Sequence, residues 1–435
     1  MNQQRIINYK FAFVGFWSQE NPQKLLKQLQ GIAGNNLLRY GEVNPFHWGV
    51  VGSNCLGNSA IAALSVGGFS NTADAWVKVE QERLILGRDP FGRATLYWLQ
   101  QGNIIWFASQ FQMLLSLLEN PMINRDALYG YCCFSYVPTP DTPVKDIHAV
   151  EAGQEIIFSG NAFKKTEREI YTFSSADATI TDEDEAVSQL ETQLKTALQK
   201  QISDLNDEPV GICLSGGLDS SLIAALLVKA GLKVRAYTLD FPDVILSETP
   251  YAERVAEYLD IPLIKIPVTA KEVIKVLPEM IKDLDLPFGD SVTVPLYLLY
   301  QKAKAEVSVL FNGENGDQLF AGWTNKPILT ATVYQSYHPD SDFMTDYLRT
   351  FHRLYGYEKQ VFSSRLLPDI NLEKPRHWLQ NALAETYTTG IFDRFRRASL
   401  MLKGAQNIQP RASNLALAQG LTLRSPFCDF PLTEW

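Results

Sequence analysis

The sequence predicts two domains of different fold class, an N-terminal α+β sandwich and a C-terminal α/β domain with a parallel sheet and a helical extension. Three observations predict this. Residues 9–160 carry short aromatic and β-branched runs separated by Gly, Asn and Pro turns. Further on, strand-like and helix-like runs alternate at the spacing of βαβ units. At Gly211–Gly231 a short apolar run ending in Leu214 meets Ser215, Gly216, Gly217, Leu218, Asp219 and Ser220 and turns directly into a helical pattern.

In the first domain KFAFVGFW, WVKVE, RLILGRD, TLYWLQ, NIIWFAS and QEIIFS read as strands of two packed sheets. QFQMLLSLLEN, after Ser109, and NRDALYGYCCF read as helices. Residues 161–181 are polar and aperiodic, and DEDEAVSQLETQLKTALQKQIS opens the next domain as an amphipathic helix, so the boundary is set near residue 170, giving domains 1–170 and 171–435. There VGICLS, KVRAYTLDF, LIKIPV and VSVLF read as strands. DSSLIAALLVKAG, TPYAERVAEYLD, KEVIKVLPEMIKDL and VPLYLLYQKAKAE read as helices. This alternation implies a parallel sheet covered on both faces, with ligands at the carboxyl ends of its strands. Residues 327–419 read as mainly helical.

Composition narrows the function. At 435 residues and 46% hydrophobic, the chain can bury two or three cores. A formal net charge of -9 without a dense Lys/Arg run argues against nucleic acid as a partner. Cys55, Cys132, Cys133, Cys213 and Cys428 form no CxxC pair and no cluster with histidine, which suits a reducing, cytoplasmic setting. The N-terminus lacks a signal-peptide pattern, and no apolar run reaches membrane-spanning length, so no membrane partner is expected.

The loop after the 210–214 strand carries the chemistry. A strand, a glycine turn and a helix start present unpaired backbone N–H groups and the positive end of a helix dipole to an anion. Neither GxGxxG nor GxxxxGK[ST] occurs there. Ser215 and Ser220 supply hydroxyls, Gly216 and Gly217 bare backbone, and Asp219 a carboxylate that would repel phosphate unless Mg²⁺ lay between them. A capped helix with a tight glycine turn would share some of these residues. A second loop, Asn312-Gly313-Glu314-Asn315-Gly316-Asp317, follows VSVLF. In a parallel sheet it can lie beside the first, bringing Asp317 to Asp219 and Glu314 into the cleft, although a plain surface turn would look similar.

LSGGLDSS resembles the pyrophosphate loop of the asparagine synthetase family. YTLDF with ETPYAERVAEYLDIP, LDLPFGDSVTVPLYLL, FNGENGDQLFAGW and GLTLRSPFCDFPL are similar to that family's later segments, and LGRDPFGRATLYW, FASQFQMLL and FSYVPTPDTPVKDIHAVEAGQEIIF to its N-terminal glutaminase-like domain. The resemblance implies an N-terminal-nucleophile glutaminase fold followed by a PP-loop domain like the adenine nucleotide α hydrolases. It also implies ATP-dependent activation of a small-molecule or peptide carboxylate, by default aspartate, as an acyl-adenylate attacked by ammonia or an amine. Carried onto this chain, Ser215, Gly216, Gly217, Asp219 and Ser220 match the ATP and pyrophosphate loop. Leu214, Leu239 and Gly313 border the nucleotide, Asp219 and Asp317 hold Mg²⁺, and Glu314 is the catalytic acid that helps deprotonate the nitrogen nucleophile.

Several positions depart from the pattern. The family's nucleophilic cysteine follows the initiator methionine, where this chain has Asn2, so the first domain is expected to be a degenerate scaffold without glutaminase activity. Asn312, Asn315, Gln318, Ala321 and Trp323 replace Ser, Gly, Glu, Gly and Tyr of the family run. The family continues past the Arg-Ser-Pro-Phe segment into helices with a phosphate-neutralising lysine, whereas Lys403 lies before that segment and is assigned no role. A shortened chain, or a partner chain or second copy supplying those helices, would account for this, and LTLRSPFCDFPL is expected to be left uncovered. Two other readings stand beside a synthetase: a ligase closing amides or macrolactams in specialised metabolites, and a catalytically silent nucleotide-binding protein. Asp393, Arg394, Arg396 and Arg397 either face an acidic substrate or form surface ion pairs. Asp285 and Asp290 either shape the cleft or cap a helix, and His148 is given no role.

Overall fold

The computed structural model describes residues 12–34, 36, 38–52, 60–68, 73–174, 180–242, 247–322, 342–388 and 390–435. In the first half the strands are β1 (Phe13–Ser18), β2 (Leu38–Val43), β3 (Phe46–Gly52), β4 (Ala60–Leu64), β5 (Ala75–Glu80), β6 (Arg83–Arg88), β7 (Tyr97–Gln101), β8 (Ile104–Ala108), β9 (Ile147–Ala149), β10 (Gln154–Ser159) and β11 (Lys164–Glu169). They form two antiparallel sheets, ordered β2-β3-β1-β8-β7-β9 and β11-β10-β6-β5-β4. Strand β1 is buried along its whole length, which explains its unbroken apolar run. Phe13 and Trp17 point into the core between the sheets, whereas Val14 and Phe16 point to the opposite face. That second face is covered by α1 (Pro22–Ala33), through Leu25 and Leu29, and by α2 (Phe111–Leu115). The layers are therefore helix, sheet, sheet.

Helix α1 was not expected from the sequence. Its start is nevertheless encoded, because the Asn21 side chain accepts the Gln23 N–H at 2.9 Å and Pro22 occupies the first turn. Strands β2, β3, β4, β9 and β11 were also missed. The six residues of β11, KKTERE, are all exposed at a sheet edge and carry no apolar alternation. The remaining helix of this half is α3 (Arg125–Phe134).

In the second half, α4 (Glu183–Ile202) starts at Asp182, whose side chain accepts the Glu185 N–H at 2.8 Å. Then follow β12 (Val210–Cys213), α5 (Leu218–Lys229), β13 (Val234–Asp240), α6 (Thr249–Tyr258), β14 (Leu263–Pro267), α7 (Ala270–Asp283), α8 (Thr293–Ala303), β15 (Val309–Phe311) and α9 (Gly316–Leu319). Helices α10 (Phe343–Phe351), α11 (Glu358–Val361), α12 (Lys374–Gln380) and α13 (Ile391–Ala398) lead into a π-helix, Ser399–Ile408. Last come α14 (Gln409–Ala418), β16 (Thr422–Arg424) and α15 (Phe430–Glu434). The sheet is wholly parallel, ordered β14-β13-β12-β15-β16. The chain builds outward from β12 to β13 and β14, then returns to the other side of β12 with β15. This reversal opens a crevice at the carboxyl ends of β12 and β15. No described helix is long and apolar enough to cross a membrane.

Strand β16 also ties the halves together. The Leu423 N–H donates to the Val66 carbonyl at 3.2 Å and the Arg93 guanidinium to the Leu423 carbonyl at 2.8 Å, while Arg424 Nε donates to the Gly67 carbonyl at 3.0 Å. Phe111 N–H, at the start of α2, donates to the Asp285 carboxylate at 2.8 Å, so Asp285 caps a helix of the first half. The expectation that LTLRSPFCDFPL lies uncovered is corrected. Leu423, Phe427 and Leu432 are buried, the last two in one core with Leu194 and Leu198 of α4. Arg424 bonds Asp204 and the Gln201 carbonyl.

Gly92, at φ +67, lies where a Cβ would meet the Ala405 carbonyl oxygen at 2.3 Å. Gly92→Ala is therefore expected to cost about 1–3 kcal/mol through overpacking and backbone strain at this junction. A lowered urea midpoint at unchanged m-value would show it, and an unaltered midpoint would contradict the close approach.

Candidate active site

The Ser215–Ser220 loop leaves β12 at the crevice. Leu214 is buried and its N–H donates to the Tyr237 carbonyl of β13 at 2.8 Å, which fixes the strand end. Gly216 takes φ +82, and a Cβ there would sit 2.4 Å from the Ala252 nitrogen of α6, so the loop and α6 are packed through a glycine. Ser215 and Ser220 are joined, Oγ to Oγ, at 3.1 Å, and the Gly217 N–H donates to Ser215 Oγ at 3.2 Å. Gly217 is the N-cap of α5 and provides no side chain to satisfy its first amides. Among the described residues, then, the positive end of α5 faces the crevice without an internal cap.

The turn after β15 lies against this helix start. A Cβ on Gly313 would fall 2.8 Å from the Ser220 nitrogen, and one on Gly316 would fall 2.5 Å from Asp219 Cγ. The Asp317 N–H donates to the Asp219 carboxylate, and the Asp317 charge lies close enough to push the Asp219 pKa up, second to the effect of burial. The two loops separated by about a hundred residues in sequence thus meet, with both carboxylates on one side of the crevice. Among the described residues no group of three or more His, Cys, Asp or Glu side chains could hold a metal ion. Asp219 and Asp317 alone would leave most positions around a divalent ion to other oxygens.

Glu314 is half-buried on the same turn, and burial pushes its carboxyl pKa up. Arg411 and Lys403 pull it back down, whereas Asp317 and Asp290 raise it further. Leu239, at the end of β13, is partly buried beside the same crevice edge. The substitutions in this turn leave a clear imprint. Asn315 takes φ +81, a region Asn tolerates, and its Nδ2 donates to the Phe427 carbonyl at 2.9 Å. Ala321 takes φ +56, which costs an alanine roughly 1 kcal/mol. The buried Asn312 side-chain oxygen accepts from Ser425 Oγ at 2.6 Å. Trp323, Asn2 and Cys55 lie outside the described residues.

Lys403 is the residue that sequence reasoning passed over. It precedes the Arg-Ser-Pro-Phe segment, and only the fold of the π-helix brings it to Asp317, Glu314, Asp290 and Arg411. Arg411 is ion-paired with Asp290, whose carboxylate also accepts the Thr293 N–H at 3.0 Å as the cap of α8. Asp290 therefore receives the first amide of α8 as well as the Arg411 guanidinium. The Asp393 cluster is structural: Arg396 pairs with Asp393 at 3.8 Å, Arg394 bonds the Leu383 carbonyl and Glu385, and Arg397 bonds Thr172 and the Phe173 carbonyl. His148 packs on Trp98, with ring centroids 4.6 Å apart.

Known proteins share this arrangement of regions. A family model described as asparagine synthase matches residues 189–435, and one described as a glutamine amidotransferase domain matches residues 65–171. Asparagine synthetase [glutamine-hydrolyzing] 1 of Bacillus subtilis is 29% identical over 238 residues, covering 54% of this chain and 37% of that protein. A putative asparagine synthetase of Mycobacterium tuberculosis is 31% identical over 255 residues, covering 57% of this chain and 39% of that one. Asparagine synthetase 3 of B. subtilis is 24% identical over 387 residues, covering 81% of this chain and 58% of its own length. The chain thus spans between 37% and 58% of these relatives. On the match over residues 189–435, which is more than half of its length, the chain belongs to the asparagine synthase family, with a glutamine-amidotransferase-like region ahead of the parallel-sheet domain.

Proposed function

We propose that this chain is an ATP-dependent carbon–nitrogen ligase that activates a carboxylate, by default that of aspartate, as its acyl-adenylate and releases AMP and pyrophosphate. The observation that carries the reading is the meeting of Asp219 and Asp317 beside the uncapped start of α5. An Asp219 carboxylate whose pKa is raised by burial and by the Asp317 charge beside it is costly to ionise unless a cation joins the two, and hard oxygen donors suit Mg²⁺. Asp219 and Asp317 would hold Mg²⁺, which would supply positive charge against the negative charge gathering on a departing pyrophosphate. The chain's own residues do the rest. The α5 amides and the Ser215 and Ser220 hydroxyls hold phosphate, Leu214, Leu239 and Gly313 border the nucleoside, and the β12–β15 crevice aligns the carboxylate with the α-phosphorus.

Glu314 accepts the proton of the attacking nitrogen. Burial raises its pKa towards the operating pH, which strengthens it as a base. For the nitrogen source the reading is free ammonia or an amine. Burial pushes up the thiol pKa of each described cysteine, Cys132, Cys133, Cys213 and Cys428, so none of them is an activated nucleophile.

The decisive experiment is ATP–pyrophosphate exchange with Mg²⁺, run with L-aspartate and with other amino acids or peptide acids. Carboxylate-dependent exchange is expected, and ATP binding without exchange under any acid would favour a silent nucleotide-binding protein. Glu314→Gln should keep exchange within about tenfold of wild type but lower amide formation by roughly a hundredfold or more, the contribution of a general base. An equal loss in both would remove Glu314 from the nitrogen step. Asp219→Asn should do the reverse, abolishing exchange. It should also raise the melting temperature of the metal-free protein at pH 7.5. An acid whose folded pKa is raised favours the fold while protonated and loses that contribution as pH climbs through its folded pKa, so removing the charge stabilises the fold above that pH. A lowered melting temperature would contradict the like-charge contact.

A further inference from the structure

The helical extension of the second half also docks on α3 of the first. Several ties there are exposed or half-buried: Arg125 pairs with Asp369, the Asn371 N–H donates to Asp126 at 2.8 Å, and Lys374 reaches Asp141 at 3.2 Å. Such pairs hold weakly. The buried tie is centred on His352, which directly follows α10 and whose side chain is 2% exposed. Rings from both halves enclose it, with centroids 5.8 Å away at Tyr129 and 5.7 Å away at Phe134 of α3, and 6.0 Å away at Tyr355. Next to it the Arg353 N–H donates to the Cys133 carbonyl at 2.9 Å, a backbone bond between the halves.

The hydrogen bonds of the His352 ring fix its protonation. The Leu354 N–H donates to Nδ1 at 3.0 Å, so Nδ1 carries the lone pair and the ring proton sits on Nε2. Nε2–H faces the Tyr129 hydroxyl at 3.2 Å, and that hydroxyl donates to the Glu358 carboxylate of α11 at 3.4 Å. Each donor meets an acceptor. A second proton has to go on Nδ1, where it would confront the Leu354 N–H in a place closed to solvent. The titratable groups around the ring and its hydroxyl partner are Tyr129 and Cys133 of α3 and Glu358 of α11. Burial pushes the Tyr129 and Cys133 pKa values up, so both stay neutral, and Glu358, 3.7 Å from Nε2, is the charge that favours an imidazolium. Burial outweighs that charge and holds the His352 pKa below its ordinary value.

We propose that His352 is a proton-operated latch between the two halves: neutral, it holds the α10–α11 segment on α3, and in mild acid its imidazolium breaks the Leu354 bond and lets that segment part from α3. A base whose folded pKa is lowered favours the closed form fully above its ordinary value of about 6.5 and loses that contribution as pH falls below it. One proton weakens the closed form by at most about tenfold per pH unit. The faces that part are apolar, since Phe134 lies 5.3 Å from Phe351 and 6.3 Å from Trp378 between ring centroids.

Hydrogen exchange of the full chain, followed by mass spectrometry from pH 7.5 to pH 5.0 and corrected for the intrinsic rate, tests the latch. Peptides spanning residues 347–362 are expected to lose protection about tenfold across that range, while peptides over β12 hold theirs within about twofold. His352→Asn keeps an acceptor for the Leu354 N–H and cannot titrate, so its protection should stay flat. Glu358→Gln removes the charge that favours the imidazolium and should deepen the loss. If His352→Asn does not fold, Glu358→Gln decides, and an unchanged or shallower loss in it overturns the proposal. No loss in wild type, an equal loss in His352→Asn, or a loss shared by β12 overturns it as well.

Discussion

Two aspartates brought together at the carboxyl ends of β12 and β15 set the terms for the rest of this structure. Asp219 lies in the first turn of α5 and Asp317 in the first turn of α9, and the pairing of their parent strands brings these two helix starts together. Glycines at 313 and 316 let the second turn approach so closely that a methyl group at either position would strike the first loop. The bond from the Asp317 N–H to the Asp219 carboxylate offsets only part of the repulsion. A fold that keeps such a contact stores an unfavourable interaction at the ends of β12 and β15.

The surrounding architecture keeps that contact rigid. The α6 helix packs on Gly216, and Asn315 anchors the second turn to the Phe427 carbonyl. Phe427 in turn belongs to the segment after β16, the strand that bonds the first half of the chain through Val66, Gly67 and Arg93. The antiparallel sandwich is therefore coupled mechanically to the crevice by backbone hydrogen bonds as well as by packed side chains. Its contribution to this chain is a brace for β16 and, through Gly92 and Ala405, for the π-helix.

Legibility in the sequence followed the strength of local signals. The alternation from VGICLS to VSVLF gave away the parallel sheet because each element has its own period and its own turn chemistry. The Ser215–Ser220 loop stood out for the same reason, since it joins a strand to a helix through two glycines, and the structure has that strand, turn and helix. Elements without internal contrast were not legible. Strand β16 is three residues long and is a strand only because β15 pairs with it, and α1, rich in Gln and Lys, is a helix whose apolar stripe is thin. Lys403 could not be found by motif order at all. Its place depends on the winding of the π-helix, which leaves no periodic mark. A lysine flanked by apolar residues and followed by Gly, in a helix leading to the Arg-Ser-Pro-Phe segment, is the one faint signal that could have pointed there.

The most direct measurement is a crystal structure of the full chain soaked with Mn²⁺ and a non-hydrolysable ATP analogue, read by anomalous scattering. The account requires an ion in the crevice with one oxygen of Asp219 and one of Asp317 among its ligands. An ion held by the phosphates alone with both carboxylates turned away, or a nucleotide seated elsewhere, would contradict it.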